Sequence, residues 1–179
     1  TGFIIWSDID GTKLFNKYNS TLETNTIKCA CNGIPSEIWL GTDTGVYKFT
    51  YSESKYSFEK LDSTLLINTD INDLFYKDYK LYIATSRGVT IYDTIEKTSE
   101  SFSSLNVSEI SSVSIDKIIV DGVYMIIGHG NGISILDTIL KTWVNYNSTT
   151  SGWSIYNHVK TIVSHEQNVR RPHTPGQRT

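Results

Sequence analysis

Three stretches of this chain repeat one pattern. Residues 38–49 read IWLGTDTGVYKF, 81–92 read LYIATSRGVTIY, and 125–136 read MIIGHGNGISIL. Each starts apolar, passes a small residue, reaches a glycine four positions later and leaves as an alternating strand. A looser copy, FIIWSDIDGTKLF, covers residues 3–15. Aligning Ser7, Gly41, Ala84 and Gly128 puts glycine at Gly11, Gly45, Gly88 and Gly132, with spacings of 34, 43 and 44 residues. One four-stranded propeller blade takes about 40–45 residues, so the period predicts an all-β propeller.

Each unit can be read as four antiparallel strands. Paired strands are expected around Asn32-Gly33, Lys77-Asp78 and Asp121-Gly122, because such residues tolerate the positive φ of tight hairpin turns. The repeat glycine then leads into a third strand. A fourth follows the frame Asp-Thr-Ile-x-Lys-Thr, seen at 93–98 and 137–142. Aspartate accepts backbone hydrogen bonds that tighten such a turn. Eleven Tyr and a high content of Ser, Thr, Ile and Val favour strands.

The segments Ile38-Trp39-Leu40-Gly41-Thr42 with Gly45, Leu81 to Gly88, and Met125 to Gly132 resemble the propeller repeats of two-component regulators. The resemblance covers most of residues 3–166. Tyr82 and Ile126 stand where the repeat has tryptophan, and Ala84 and His129 interrupt its Gly-Thr pair. The resemblance implies a scaffold carrying a ligand-sensing or interaction role, and slightly favours an extracytoplasmic or secreted location.

The chain ends suggest how a ring could close. Residues 3–15 read as the second and third strands of a blade without an inner strand. Residues 156–166 read as an inner strand with Val159, Ile162 and Val163 as its apolar positions. Pairing them would complete a first blade and remove two exposed edges. The expectation is four blades: 156–166 with 3–25, then 26–67, 68–112 and 113–153. A piece of a larger ring, or half of an eight-bladed dimer, is the alternative. Residues 169–179 carry three Arg and two Pro and are expected to be an unstructured or appended tail.

Net charge is -3, so no nucleic-acid footprint is present. No apolar run approaches the ~20 residues of a membrane-spanning helix. Cys29 and Cys31 are expected to be small core residues. No cofactor, phosphate-loop or nucleophile motif occurs, and the Asp8-x-Asp10 pair lacks the remaining ligands of a calcium loop. The expected binding surface is the rim formed by the turns after the second strands, because loops on a rigid scaffold carry recognition. It comprises Asp10, Asp43, Arg87, His129 and Asn131, with Trp153 joining from an inter-blade loop. The leading expectation is a non-enzymatic binding module for a protein, small molecule or glycan. A sugar-binding lectin-like propeller and a propeller enzyme acting on glycans or lactones are the rivals.

Overall fold

The structure is a computed structural model. It describes residues 2–8, 10–52, 55–147, 149 and 162. Fourteen strands and one short 3-10 turn (Ser63–Leu65) account for the regular structure among these residues. Closure by 156–166, Trp153 and the 169–179 tail lie outside the described residues, apart from Ile162.

Three sheets have four strands each. The first contains β3 (Ile27–Asn32), β4 (Glu37–Thr42), β5 (Val46–Ser52) and β6 (Lys55–Lys60). The second contains β7 (Ile71–Lys77), β8 (Lys80–Thr85), β9 (Gly88–Asp93) and β10 (Thr98–Phe102). The third contains β11 (Ile115–Asp121), β12 (Tyr124–His129), β13 (Gly132–Asp137) and β14 (Thr142–Tyr146). All pairings are antiparallel between consecutive strands. A two-stranded sheet, β1 (Phe3–Ser7) with β2 (Gly11–Phe15), precedes them.

The sheets stack face to face, and burial of alternate residues drives the stacking. Trp39, Val46, Cys29 and Cys31 pack against Leu74, Leu81, Ile83 and Tyr92 of the next sheet. Tyr82, Ala84 and Val89 pack against Ile118, Met125, Ile127 and Leu136. Phe3, Ile5 and Phe15 of the small sheet pack against Leu40, Tyr47 and Phe49. Phe49 is fully buried beneath Phe3, Phe15 and Phe58, with ring centroids 5.2, 5.9 and 4.9 Å away.

Small residues mark where strands and neighbouring sheets approach most closely. A Cβ on Gly41 would lie 2.4 Å from Cys29 Sγ and 2.7 Å from Ile71 Cγ2. The repeat glycines Gly88 and Gly132 hold φ of 138° and 129°, and a Cβ there would lie 2.3 and 2.2 Å from the carbonyl oxygens of Phe102 and Tyr146.

The same geometry reassigns the first unit. Gly2 has φ 149°, and a Cβ on it would lie 2.3 Å from the carbonyl oxygen of Phe15. Gly2, not Gly11, is therefore the counterpart of Gly88 and Gly132. Gly11 has φ 64° with open space around it, matching Lys97 and Lys141, both at φ 57° in the turns between third and fourth strands. The loop after β2 repeats the loop after β10. Asn16 N–H donates to Asn19 Oδ1 and Asn19 Nδ2 to Leu14 O, as Ser103 N–H donates to Asn106 Oδ1 and Asn106 Nδ2 to Ser101 O. So β1 and β2 are the third and fourth strands of a blade, not the second and third. The alignment on Ser7 and Gly11 misled because the Ser7–Gly11 turn carries a glycine at a similar distance from an apolar triplet.

The hairpin turns also differ in detail from the expectation. Positive φ falls on Asp78 and Tyr79 rather than on Lys77. Asn32 ends β3, and a longer turn closes through Gly33 N–H to Glu37 O (3.0 Å), with Ser36 at φ 68°.

Gly88→Ala should lower stability by roughly 1–3 kcal/mol, the cost of a strained backbone position. Gly11→Lys should change it by less than about 1 kcal/mol, since lysine already occupies that conformation twice. Urea unfolding of the two variants reads this contrast; equal costs would contradict the reassignment.

Candidate binding face at the inner-strand ends

The three inner strands β3, β7 and β11 share an irregularity at the same place. Register shifts occur between Ile27 and Cys29, between Ile71 and Asp73, and between Ile115 and Lys117. Each is a β-bulge that sets one polar residue outside the cross-strand register: Lys28, Asn72 and Asp116. Lys28, Asn72 and the adjacent Asp73 link the strands side by side. Lys28 Nζ donates to Asp70 Oδ1 and Asn72 Oδ1, both at 2.8 Å. Asn72 Nδ2 donates to the Ile115 carbonyl at 2.9 Å. Asp73 accepts from the Ile118 N–H at 3.2 Å and pairs with Lys117 at 3.4 Å. At the far end Lys77 Nζ donates to the Gly122 carbonyl. The inner strands thus run in the same direction, start beside start.

The turns joining second to third strands sit at the starting end. In two of them a threonine holds the turn. Thr42 Oγ1 donates to Gly45 O and accepts from Thr44 N–H. Thr85 Oγ1 donates to Gly88 O and accepts from Arg87 N–H. Asp43 and Arg87 project from these turns and are exposed. Asp70 joins the turn to the inner strands: its carboxylate takes the Lys28 ion pair and a 2.5 Å hydrogen bond from Ser86 Oγ, and its carbonyl accepts from Ser86 N–H. The Lys28 and Ser86 donors hold its carboxyl below the usual carboxylate value.

In the third turn His129 replaces the threonine, and it is fully buried rather than on the rim. Its Nδ1 accepts from Asn131 N–H at 3.2 Å. Its Nε2 then carries the proton and donates to Ser134 Oγ at 3.0 Å. Ser134 Oγ donates to the Glu109 carbonyl and accepts from Asn145 Nδ2. Burial lowers the imidazole's proton affinity, against the opposing pull of Asp116. Asn131 is exposed, and its side chain donates to the Ser111 carbonyl at 2.6 Å.

Of the expected rim residues, Asp43, Arg87 and Asn131 therefore lie on corresponding turns. Asp10 does not join them. As part of a turn between third and fourth strands it lies at the opposite end, where Tyr56 Oη donates to its carboxylate at 2.5 Å. Sequence reasoning missed Lys28, Asp70 and Asn72. Their signal was an isoleucine followed by a polar residue at each inner-strand start, with Lys28 and Asn72 standing 44 residues apart.

The cysteines offer no reactive group. Cys29 and Cys31 are unpaired and half-buried, and burial pushes both thiols up to about 12. Among the described residues no three His, Cys, Asp or Glu side chains converge on a metal-sized site. No helix among them is long and apolar enough to cross a membrane.

No family model matches the chain, and no curated protein matches it. Solved structures do. The extracellular domain assigned to the hybrid two-component system BT3049 of Bacteroides thetaiotaomicron superposes with a TM-score of 0.65 at 17% identity, over 78% of this chain and 21% of that one. The extracellular domain of BT4673 from the same organism gives 0.64 at 18% identity, over 80% and 19%. PorZ, a surface component of the type-IX secretion system of Porphyromonas gingivalis, gives 0.53 at 16%, over 66% and 16%. The fold is that of the propeller repeats in two-component sensor ectodomains. The chain spans about a fifth of the length of those ectodomains.

A pH prediction follows from His129. In the unfolded chain imidazole takes up its proton as pH falls through about 6.5, whereas the folded ring does so only at lower pH. Stability is therefore lost progressively as pH drops below that value. His129→Thr restores the hydroxyl used by the other two turns and removes the titrating group. The thermal midpoint of the parent should fall between pH 7 and pH 5, and the slope should flatten in His129→Thr. An unchanged slope would contradict the assignment.

Proposed function

We propose that the chain is a non-enzymatic recognition module, a propeller segment that binds a small polar ligand or a partner protein at the turn-lined end of its inner strands. It would serve as the ligand-sensing or scaffold part of an extracytoplasmic protein. The observation that carries this reading is the joined array of Lys28, Asp70 and Asn72, flanked by exposed Arg87, Asp43 and Asn131. A mixed-charge surface on rigid strands is preorganised for recognition. The fold likeness to sensor ectodomains supports the same reading.

The proposal takes the blades as a ring of four, with the segment 156–166 completing the blade of residues 3–25. A larger ring is the second reading, favoured by the much greater length of the structural neighbours. A lectin-like role is favoured by one feature, the exposed indole of Trp6, since an aromatic platform suits a sugar face.

A thermal-shift screen with free sugars, amino acids and dicarboxylates tests the binding face. At least one class should raise the midpoint of the parent, and Lys28→Met or Arg87→Ala should abolish at least tenfold of its affinity. Ligands that bind both variants as tightly as the parent would overturn the assigned face.

A further inference from the structure

The third strands of the complete sheets share one position, four residues after the repeat glycine: Phe49, Tyr92 and Leu136. Each packs toward the preceding sheet. Its cross-strand partner on the fourth strand lies on the same face: Phe58, Ser99 and Trp143. In two of these three interfaces the partner is an aromatic ring. It meets a second ring at the end of the preceding sheet's fourth strand. Phe58 lies 5.2 Å from Phe15 with the planes at 63°, and Trp143 lies 5.5 Å from Phe102 at 66°. Both partner rings are half-buried in the outer wedge between two sheets.

The middle interface has neither ring. Ser99, which is exposed, stands where Phe58 and Trp143 stand. Leu61 stands where Phe15 and Phe102 stand, its N–H donating to the Val46 carbonyl just as Phe102 pairs with Val89. A cleft of ≈ 230 Å³ opens at this place, walled by Trp39 and Leu61 of one sheet and by Tyr92 and Lys97 of the next. That is below the roughly 300–1,000 Å³ of a drug-sized site, so the cleft suits a single ring or two fused rings.

Its unpartnered polar groups are donors. Trp39 and Tyr92 are each 4% exposed. Neither the Trp39 Nε1–H nor the Tyr92 hydroxyl has a hydrogen-bond partner among the described residues. Lys97 has no carboxylate within ion-pair distance among them either. Its counterpart Lys141 reaches Glu100 at 3.9 Å. The difference lies in Lys48, which replaces Ile91 of the next interface and holds Glu59, the counterpart of Glu100, at 2.7 Å.

We propose that this cleft binds a small aromatic carboxylate. Its ring takes the place that Phe58 and Trp143 fill in the flanking interfaces, against Trp39, Leu61 and Tyr92. Burial of the ring and edge-to-face contact with the two aromatic walls favour it there. Its carboxylate accepts from the Lys97 ammonium and the Tyr92 hydroxyl, in charge-assisted hydrogen bonds. A neutral ring would leave Lys97 without a counter-charge, and an aliphatic acid would leave the wedge open. None of Lys28, Asp43, Asp70, Asn72, Arg87 and Asn131 lines this cleft, so the site stands apart from the turn-lined face and does not depend on it.

Calorimetric titration of the full chain with indole-3-acetate tests the proposal. The acid should bind saturably, and the isosteric neutral amide, indole-3-acetamide, should bind about tenfold more weakly. Ser99→Trp installs the ring that Trp143 supplies in the next interface. It should raise the thermal midpoint of the ligand-free protein and abolish binding of the acid. Ser99→Phe, which copies Phe58, gives the same reading should the larger ring not fit. Lys97→Asn keeps a residue type that accepts the left-handed φ of 57° and should weaken the acid about tenfold while leaving the amide unchanged. Absence of saturable binding to the parent would overturn the site. Undiminished binding in both Ser99 variants would overturn it as well, by placing the ligand elsewhere on the chain. Equal affinities for acid and amide would overturn the pairing with Lys97.

Discussion

The side-by-side stacking of β3, β7 and β11 is the constraint on which the rest of the molecule depends. Flat sheets could slide or rotate over each other on apolar contacts alone, because the hydrophobic effect has no direction. The bulges supply the direction. Two of them free Lys28 and Asn72, which reach across to the neighbouring strand, as does Asp73 beside the second bulge. The Ile118 N–H, on the edge strand of its own sheet, donates to the Asp73 carboxylate. A buried backbone donor left without a partner costs about 1–3 kcal/mol, so the carboxylate pins both the tilt and the register of adjacent blades.

That registration places the turns at the starting end of the inner strands. Once inner strands start level, the turns carrying Asp43, Arg87 and Asn131 must start level too. The turns are rigid for a local reason: a side-chain acceptor on Thr42, Thr85 or His129 takes the second N–H of each. Asp43, Arg87 and Asn131 therefore project from turns whose backbones are fixed twice, by the glycine and by the anchor. His129 shows that the anchor need not be a hydroxyl, provided its ring is neutral and has a partner for its other nitrogen, here Ser134.

Much of this was legible in the sequence. The period gave the blade, and the apolar alternation gave the faces. What misled was local resemblance without a check on the following loop. The Asp8–Gly11 turn looks like the turn after a second strand, but the Phe15-Asn16 loop that follows matches Phe102-Ser103 and belongs after a fourth. The same error carried Asp10 to the wrong end. His129 was misplaced because a polar residue in a Gly-rich turn reads as surface, and only the alignment with Thr42 and Thr85 shows it turning inward. Bulges leave almost no trace in one sequence, so Lys28 and Asn72 were passed over as ordinary strand residues.

The account is tested most directly by amide hydrogen exchange at Ile118. With Asp73 in place this N–H should be protected, and Asp73→Ala should raise its exchange rate by at least tenfold while Met125 and Ile127 amides in the neighbouring strand stay slow. An Ile118 amide that exchanges at the same rate with and without the carboxylate would show that the inner strands are not tied in this way.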